Sequence, residues 1–243
     1  MPLCKKLSTL SIFFPFWNEE KNIELVVTKA IPIAKQYASK WEIIMVDDGS
    51  SDKTLEIAEK LAKNNQNLKV VSHKPNRGYG AALQAGFRTA QYDFVVFNDV
   101  DGQFDFSEIN RFIEKIERAD VVIGYRKKRQ DQPIRHILMN LLKIWDFVFF
   151  RFYYRDIDCG FKMFKREALE KIIPFHSEGA MITTEILAKA RKNKLKIEQV
   201  EVSHYPRKFG KESGGNVRVV LRAIFESWLL WIDLNLRGTN GKY

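Results

Sequence analysis

The sequence predicts an α/β fold, with a mostly parallel sheet and helices on both of its faces. Two observations carry this prediction. Across residues 9–126, short apolar runs alternate strictly with segments whose apolar residues recur at helical spacing, which is typical of a parallel sheet covered by helices. Polar clusters also follow three of the predicted strands directly, at the sheet edge where folds of this class bind ligands.

The predicted elements follow one another in order without a recognisable linker. Apolar runs predict strands over residues 9–16, 41–48, 68–73, 92–99 and 120–126. Segments with a period of about 3.6 residues predict helices over residues 20–38, 51–64, 80–90 and 106–117. Pro32 predicts a kink or a break in the first helix, whereas Ser51 and Asp52 form a typical cap at the start of the second.

The composition limits the kind of protein and the kind of partner. The chain has 243 residues, of which 45% are hydrophobic, so one large domain with a substantial core is expected. A formal net charge of +10 favours an anionic partner: a nucleic acid, a phosphorylated substrate or an anionic membrane surface. Cys4 and Cys159 form no disulfide framework, which favours a reducing compartment. We expect neither a signal peptide nor a transmembrane helix.

The second half of the chain is patterned differently. Residues 127–136 are polar and basic, whereas residues 137–154 and 216–237 are strongly apolar and aromatic with scattered charges. Two interpretations of these aromatic segments stay open. They are amphipathic helices that lie on a bilayer, with Trp145 and Trp228 beside basic residues, or they are packing helices of the core or of a subunit interface.

The acidic turn NDVDGQFD at residues 98–105 is the first candidate site. Asp99 and Asp101 follow an apolar strand, and side chains two residues apart lie on the same side of an extended chain. Both carboxylates can therefore reach one hard cation, and Gly102 lets the backbone turn. Mg²⁺ prefers a few carboxylates together with substrate phosphates. An ordinary acidic turn that closes a strand is the alternative interpretation.

Two further loops follow neighbouring strands. Asp47 and Asp48 end the second predicted strand, and a carboxylate there can accept hydrogen bonds from a nucleobase or a ribose hydroxyl. Arg77 and Gly78 lie in the loop NRGYG, where glycine allows close backbone approach and arginine supplies a fixed cation. The loop lacks the G-K-[ST] ending of a Walker A motif, so that class of nucleotide site is excluded.

In combination, these motifs resemble those of the family 2 inverting glycosyltransferases with a GT-A fold, and more narrowly the dolichyl- or polyprenyl-phosphate sugar synthases. The resemblance spans roughly residues 8–215. The motifs that carry it are NEE (18–20), VDDGSSDKT (46–54), NRGYG (76–80), DVDGQ (99–103), DCGFK (158–162) and the stretch 207–214. It implies a GT-A domain over residues 1–215, followed by a C-terminal amphipathic interfacial or packing helix over residues 216–243.

The resemblance implies a nucleoside diphosphate sugar donor and a Mg²⁺ or Mn²⁺ ion that bridges its diphosphate. The implied metal residues are Asp99, Asp101 and Gln103. The implied catalytic residues are Asp99, Asp101, Asp158 and Glu185. The implied donor-binding residues are Pro15, Asn18, Glu20, Asp47, Asp48, Arg77, Gly78, Asp99 and Gln103.

The kind of acceptor is inferred from the absence of an expected general-base residue in the sequence. Transferases that act on a hydroxyl need a general base, and similar enzymes supply it from a Glu-Asp pair. This chain has Thr184-Glu185-Ile186 at that place, so the Asp is absent. A phosphate, with a second pKa of about 6, needs no strong base, which favours a lipid phosphate. Glu185 as a positioning residue or a helix cap stays open, as does a structural role for Asp158 in the turn before Gly160.

A phosphate acceptor should be held by cations. The candidates that bind the acceptor or the diphosphate are Arg126, Arg135, Arg207, Lys211 and Ser213. Residues 207–215 resemble the flexible loop that closes over the diphosphate in this family.

We therefore expect a metal-dependent inverting enzyme that is peripheral at the cytoplasmic face of a membrane, with a polyprenyl phosphate lipid as acceptor and the membrane surface as partner. Two alternatives stay open: a relative that acts on a glycan or small-molecule hydroxyl, and a non-catalytic nucleotide-binding module. No nucleic acid partner is expected, because the aromatic residues cluster on apolar segments instead of interleaving with Lys and Arg. If the aromatic segments pack two subunits together instead of lying on a bilayer, the protein would form a homo-oligomer.

Overall fold

The computed structural model of the protein describes residues 6–127, 144–145, 147–207 and 217–237, with the backbone alone for residues 217–224 and 236–237. Its centre is a seven-stranded sheet in the order β3-β2-β1-β4-β6-β5-β7. The strands are β1 (Leu7–Phe16), β2 (Ala38–Asp47), β3 (Leu68–Ser72), β4 (Phe94–Asn98), β5 (Val121–Arg126), β6 (Phe161–Lys165) and β7 (Ile197–Val202). Strand β6 is antiparallel to both of its neighbours, and the other pairs are parallel.

Helices connect the strands and cover the sheet. They are α1 (Ile23–Tyr37), α2 (Thr54–Lys63), α3 (Tyr79–Thr89), α4 (Ile109–Ile116), α5 (Arg166–Glu170), α6 (Ile182–Lys192) and α7 (Val217–Ile232). A 3-10 turn, Phe106–Glu108, precedes α4, and a π-helical turn, Asp233–Arg237, follows α7. The strands and helices predicted for residues 9–126 are confirmed. The break expected at Pro32 is not found, because α1 continues through it to Tyr37.

The core lies on both faces of the sheet, as the alternation of side chains along β1 requires. Ile12 and Phe14 belong to one buried cluster, together with the inner faces of α1 and α4. Phe13 belongs to the other, together with α3 and α6. Each such buried side chain stabilises the fold by roughly 1.5–3 kcal/mol. The prediction of helices on both faces is therefore confirmed.

Helix α3 packs unusually close to the sheet. A Cβ atom added at Gly86 would lie 2.3 Å from the Phe13 ring, so only glycine fits there. The ring of Phe87 then meets Phe13 edge to face, with 5.0 Å between centroids. This close packing holds the last turn of α3 against β1.

The aromatic segments of the second half pack on each other. Trp145 stacks on Phe149, with 4.2 Å between ring centroids, and its indole N–H donates to the Ser227 hydroxyl on α7. On the outer side, Phe225 and Trp228 stay 63% and 48% exposed. These contacts join parts of the two segments, and whether the segments serve as interfacial or as packing helices stays a prediction. No helix within the described ranges has the length and apolar composition needed to cross a membrane.

Candidate active site

Asp99 is fixed from two sides at the end of β4. Its backbone N–H donates to the Gly160 carbonyl at 3.1 Å, and the Tyr79 hydroxyl donates to its Oδ1 at 2.9 Å. A Cβ atom added at Gly160 would lie 1.8 Å from Asp99 Oδ2. Only glycine at position 160 therefore leaves room for this carboxylate, and the start of α3 sets its orientation.

The predicted metal ligands Asp99 and Asp101 lie close enough to repel. Burial, and then the Asp101 carboxylate, raise the pKa of Asp99 to about 7, although Tyr79 and Lys162 act in the opposite direction. A divalent cation would relieve this repulsion, so the pair fits a hard metal ion. Within the described part of the chain, no group of three or more His, Cys, Asp or Glu side chains could enclose a metal. Oxygen atoms of a ligand would have to complete the coordination.

The chain after β7 runs beside the acidic turn. The Tyr205 N–H donates to the Gln103 carbonyl at 2.9 Å, and the Gln103 side-chain amide donates to the Tyr205 carbonyl at 3.3 Å. The Gln103 N–H in turn donates to Asp101 Oδ1 at 3.0 Å. This pairing brings Arg207, two residues further on, to the buried carboxylate of Glu19, with which it forms an ion pair.

Glu19 belongs to the site, although the sequence analysis assigned roles only to its neighbours Asn18 and Glu20. Burial raises the pKa of Glu19, while a hydrogen bond from the Asn22 amide, at 2.6 Å, and the charge of Arg207 lower it. The sequence signal that could have identified Glu19 was its position at the end of a predicted strand, inside the motif NEE. The distance of 188 residues to Arg207 left no local sign of the pairing.

The predicted donor residues after β1 and β2 hold the loops of this edge together. Asn18 Oδ1 accepts the Ser51 N–H at 2.8 Å, and Glu20 Oε2 accepts the Lys53 N–H at 3.2 Å. Asp47 is buried at the end of β2, where it accepts the Ser50 N–H at 3.1 Å and the Ser72 hydroxyl at 3.0 Å. Pro15 is buried in β1, opposite Val46. These residues lie at the predicted edge, and their contacts with a donor stay a prediction.

Asp48 shapes the loop before α3. Its Oδ1 accepts the Arg77 N–H at 3.0 Å and its Oδ2 accepts the Gly78 N–H at 2.7 Å, while the His73 Nδ1 atom lies 2.9 Å from Oδ1. Gly78 has a φ of 108°, which L side chains rarely adopt, and an added Cβ would lie 2.6 Å from the Glu178 carbonyl oxygen. The Arg77 guanidinium forms an ion pair with the Glu178 carboxylate.

Several predicted acceptor-side residues have partners inside the protein. Arg126 is buried and makes a two-pronged pair with Asp156, at 2.6 Å from Nε to Oδ2 and 2.9 Å from Nη2 to Oδ1. Asp158 Oδ1 accepts the Thr183 hydroxyl at 3.3 Å, which ties the turn before Gly160 to the start of α6. The remaining acceptor-side candidates, Arg135, Lys211 and Ser213, lie outside the described residues.

Two more residues of the site were not singled out from the sequence. Tyr79 orients Asp99, as described above. Lys162 is fully buried on β6, where its ammonium donates to the Cys159 carbonyl and lies 5.6 Å from the centre of the Phe97 ring. Burial lowers the pKa of Lys162, while nearby carboxylates, Asp99 among them, raise it. Both residues stand inside the quoted motifs NRGYG and DCGFK, which was the signal for them.

Glu185 lies on the inner face of α6, fully buried, where its carboxylate accepts the main-chain N–H groups of His176 and Ser177. The structure therefore places it against a loop of the protein. Together, the described candidates gather at one edge of the sheet: the ends of β1, β2 and β4, the start of α3, and the turns that precede β6 and α6.

Comparisons with known proteins agree with this geometry. The family model of Glycosyl transferase family 2 matches residues 11–173. A dolichyl-phosphate beta-glucosyltransferase of Saccharomyces cerevisiae is 33% identical over 220 residues, which cover 80% of this chain and 66% of that protein. An undecaprenyl-phosphate 4-deoxy-4-formamido-L-arabinose transferase of Photorhabdus laumondii is 28% identical over 209 residues, which cover 85% of this chain and 63% of that protein. The chain thus spans about two thirds of the length of these relatives.

A solved structure with the same architecture is glucosyl-3-phosphoglycerate synthase from Mycobacterium tuberculosis, crystallised with Mn²⁺, uridine-diphosphate-glucose and phosphoglyceric acid. It has a TM-score of 0.68 and 19% identity, over 92% of this chain and 80% of that chain. This likeness confirms the predicted GT-A fold. The acidic pair at the end of β4, the sheet order and the family model lead to one conclusion: the chain belongs to glycosyl transferase family 2.

Proposed function

We propose that the protein transfers a sugar from a nucleoside diphosphate sugar to a polyprenyl or dolichyl phosphate, with inversion at the anomeric carbon and with the help of a divalent cation. The observation that carries this proposal is the like-charged pair Asp99 and Asp101, held at the carboxyl end of β4 in a family 2 chain. Relatives named as dolichyl-phosphate and undecaprenyl-phosphate transferases support the choice of acceptor.

The donor diphosphate binds at the acidic turn. Asp99 and Asp101 would hold the cation, with Gln103 beside them, and a bound Mg²⁺ or Mn²⁺ ion would supply Lewis-acid stabilisation of the departing diphosphate. The protein contributes a rigid support for this pair, because the Tyr79 hydroxyl and the Gly160 backbone fix Asp99. Arg207 lies at the same edge, next to Glu19, as a cation for a phosphate group.

The acceptor oxygen attacks the anomeric carbon in line while the bond from that carbon to the diphosphate breaks. A phosphate monoester has already lost its protons near neutral pH, so the step needs no strong general base. This agrees with the two candidate carboxylates: Asp158 accepts a hydrogen bond from Thr183, and Glu185 is buried against its own main chain. A hydroxyl acceptor would need a base that faces it.

Because a lipid acceptor lies in a membrane, the enzyme must bind the membrane surface. The exposed aromatic residues of α7 are suited to such binding. Phe225, Trp228 and Leu229 stay exposed in a chain with a formal net charge of +10. Aromatic and basic residues are typical of helices that lie in the interface of an anionic bilayer. We place the enzyme peripherally, at the cytoplasmic face, with residues 1–215 as the catalytic domain and residues 216–243 as the interfacial segment.

The proposal is tested with purified protein, Mn²⁺ or Mg²⁺, labelled nucleoside diphosphate sugars and a short polyprenyl phosphate. We expect a labelled lipid product with at least one common donor, and none when the metal is removed by a chelator. A sugar product formed on a soluble hydroxyl acceptor, with none on the lipid phosphate, would overturn the proposed acceptor. Nucleotide binding without any transfer would overturn the enzymatic proposal altogether.

A further inference from the structure

Residues 174–181, which we call the crossing segment, lie across the start of α3. The Glu178 carbonyl accepts the N–H groups of Gly80 at 2.8 Å and Ala81 at 3.2 Å. An added Cβ at Gly80 would lie 2.4 Å from the Ser177 carbonyl oxygen. The contact is thus main chain against main chain, and it uses N–H groups at the start of α3 that would otherwise seek another acceptor.

Glu185 holds the other side of the crossing segment. Its two carboxylate oxygens lie 2.9 and 3.1 Å from the His176 nitrogen, and Oε2 accepts the Ser177 N–H at 2.8 Å. The ammonium of Lys189, one turn later on α6, lies 2.7 Å from Oε1 and also donates to the Pro174 carbonyl. The side chain of Glu185 is 0% exposed, so these bonds form inside the protein.

This arrangement decides what Glu185 can do. A general base needs an oxygen that reaches the proton of the acceptor. Both oxygens of Glu185 instead accept main-chain N–H bonds, and removal of the carboxylate would take its acceptor from the buried N–H group of Ser177. A buried donor that loses its acceptor destabilises the folded state. The physical role that fits these contacts is to hold the loop.

We infer that Glu185 is a positioning residue: it fixes the crossing segment against α3 and, through Glu178, fixes the guanidinium of Arg77 at the edge of the site. This inference rests on the proposed function and deepens it. The absence of a base at position 185 agrees with an acceptor that attacks through an oxygen already ionised, as a phosphate monoester does.

Hydrogen exchange tests the inference without any sugar transfer. We expect the amides of residues 176 and 177 to exchange at least tenfold faster in Glu185→Ala than in the wild type, while the amides of α2 keep their rates. Glu185→Gln should lie between the two, because its amide oxygen still accepts one N–H. Unchanged exchange at residues 176 and 177 in Glu185→Ala would overturn the inference, whatever the fate of the proposed reaction.

Lys189→Met is a second variant, in case Glu185→Ala does not fold. With 12% of its side chain exposed, Lys189 is mostly buried; its replacement removes the ammonium 2.7 Å from Glu185 Oε1 but keeps the carboxylate and its main-chain donors. We expect about threefold faster exchange at residues 176 and 177, because one anchor of the segment at Pro174 is gone. No change in this variant, with folding intact, would contradict the anchoring described here.

Kinetics separate positioning from base catalysis. In Glu185→Gln we expect a several-fold higher KM for the nucleotide sugar and a pH profile of kcat with the same shape as the wild type. A matched control is Glu178→Gln, which removes the ion pair to Arg77 but keeps the Glu178 carbonyl, and it should raise KM without faster exchange at residues 176 and 177. A Glu185→Gln enzyme as inactive as Glu185→Ala, with one limb of the pH profile lost, would make Glu185 a base and overturn the inference.

Discussion

The turn after β4 and the region around β5 and β6 differ in how their charged side chains are paired. In the turn, two carboxylates of the same sign lie together, and Asp101 raises the pKa of Asp99. In the second region, Arg126 and Asp156 neutralise each other in a buried pair. Arg126 and Asp156 therefore satisfy each other within the fold, whereas the like charges of Asp99 and Asp101 indicate an external ligand of positive charge.

The largest effect on stability is expected where opposite charges are paired. Arg126→Met would leave the Asp156 carboxylate buried, with 2% of it exposed, and would remove its two bonds from the Arg126 guanidinium. Breaking one side of a buried ion pair lowers the free energy of unfolding by about 3–5 kcal/mol. Urea unfolding measures this loss. The double variant Arg126→Met with Asp156→Leu should recover most of it.

An Arg126→Met protein that is as stable as the wild type but transfers no sugar would contradict this account. It would return Arg126 to the phosphate-binding role that the sequence predicts.

The like-charged pair should matter for activity instead. Asp101→Asn removes one of the two anionic ligands, and we expect kcat/KM for sugar transfer to fall by about 10³-fold, because Lewis-acid stabilisation supplies several kcal/mol. Asp105→Asn is the matched control in the same turn. Asp105 Oδ1 accepts the Ser107 N–H at 2.9 Å and caps the 3-10 turn. Asn caps as well as Asp does, so Asp105→Asn should change stability little and leave kcat/KM within twofold. Equal losses of activity in the two variants would erase the distinction between them.

The position of the Asp99 carboxylate can also be tested by a substitution at Gly160. Gly160→Ala would place a methyl group 1.8 Å from Asp99 Oδ2, so the carboxylate must move. A displacement of about 1 Å at a reacting centre can lower activity by about 10²-fold, and we expect that loss in kcat/KM. Gly102→Ala is the control, since its added Cβ would meet only Asn22 Oδ1 at 3.8 Å, although its φ of 74° makes the variant less stable. Normal activity in Gly160→Ala would refute the steric support of Asp99.

The smallest effect concerns Cys159, which is buried between the two regions. Burial, and then the Asp156 carboxylate, raise the pKa of this thiol to about 12. Because the thiolate is the reactive form, its fraction at pH 8 is only about 10⁻⁴ and rises about tenfold for each pH unit below pH 12. Iodoacetamide should therefore leave Cys159 unlabelled at pH 8 in the native protein and label it in urea, as peptide mass spectrometry would show. Rapid native labelling would mean that this turn is open.

Much of the fold could be predicted, because periodicity is a local property. Alternating apolar runs located β1 to β5 and α1 to α4, and the strand ends located Asp99 and Asp101. The antiparallel strand β6 was not predicted, since DCGFK was read only as a motif. The partners of charged residues could not be predicted either: Arg126 and Asp156 are 30 residues apart, and Glu19 and Arg207 are 188 apart. Such pairs leave no signal in a local window.

Nucleotide binding tests directly whether a metal-bound diphosphate occupies the acidic turn. The melting temperature should be measured with nucleoside diphosphate sugars, with and without Mn²⁺, in the wild type and in Asp101→Asn. A ligand that binds only the folded state raises the melting temperature. We predict that one nucleotide sugar stabilises the wild type only when Mn²⁺ is present and does not stabilise Asp101→Asn. Stabilisation that is independent of the metal and unchanged in Asp101→Asn would contradict the account.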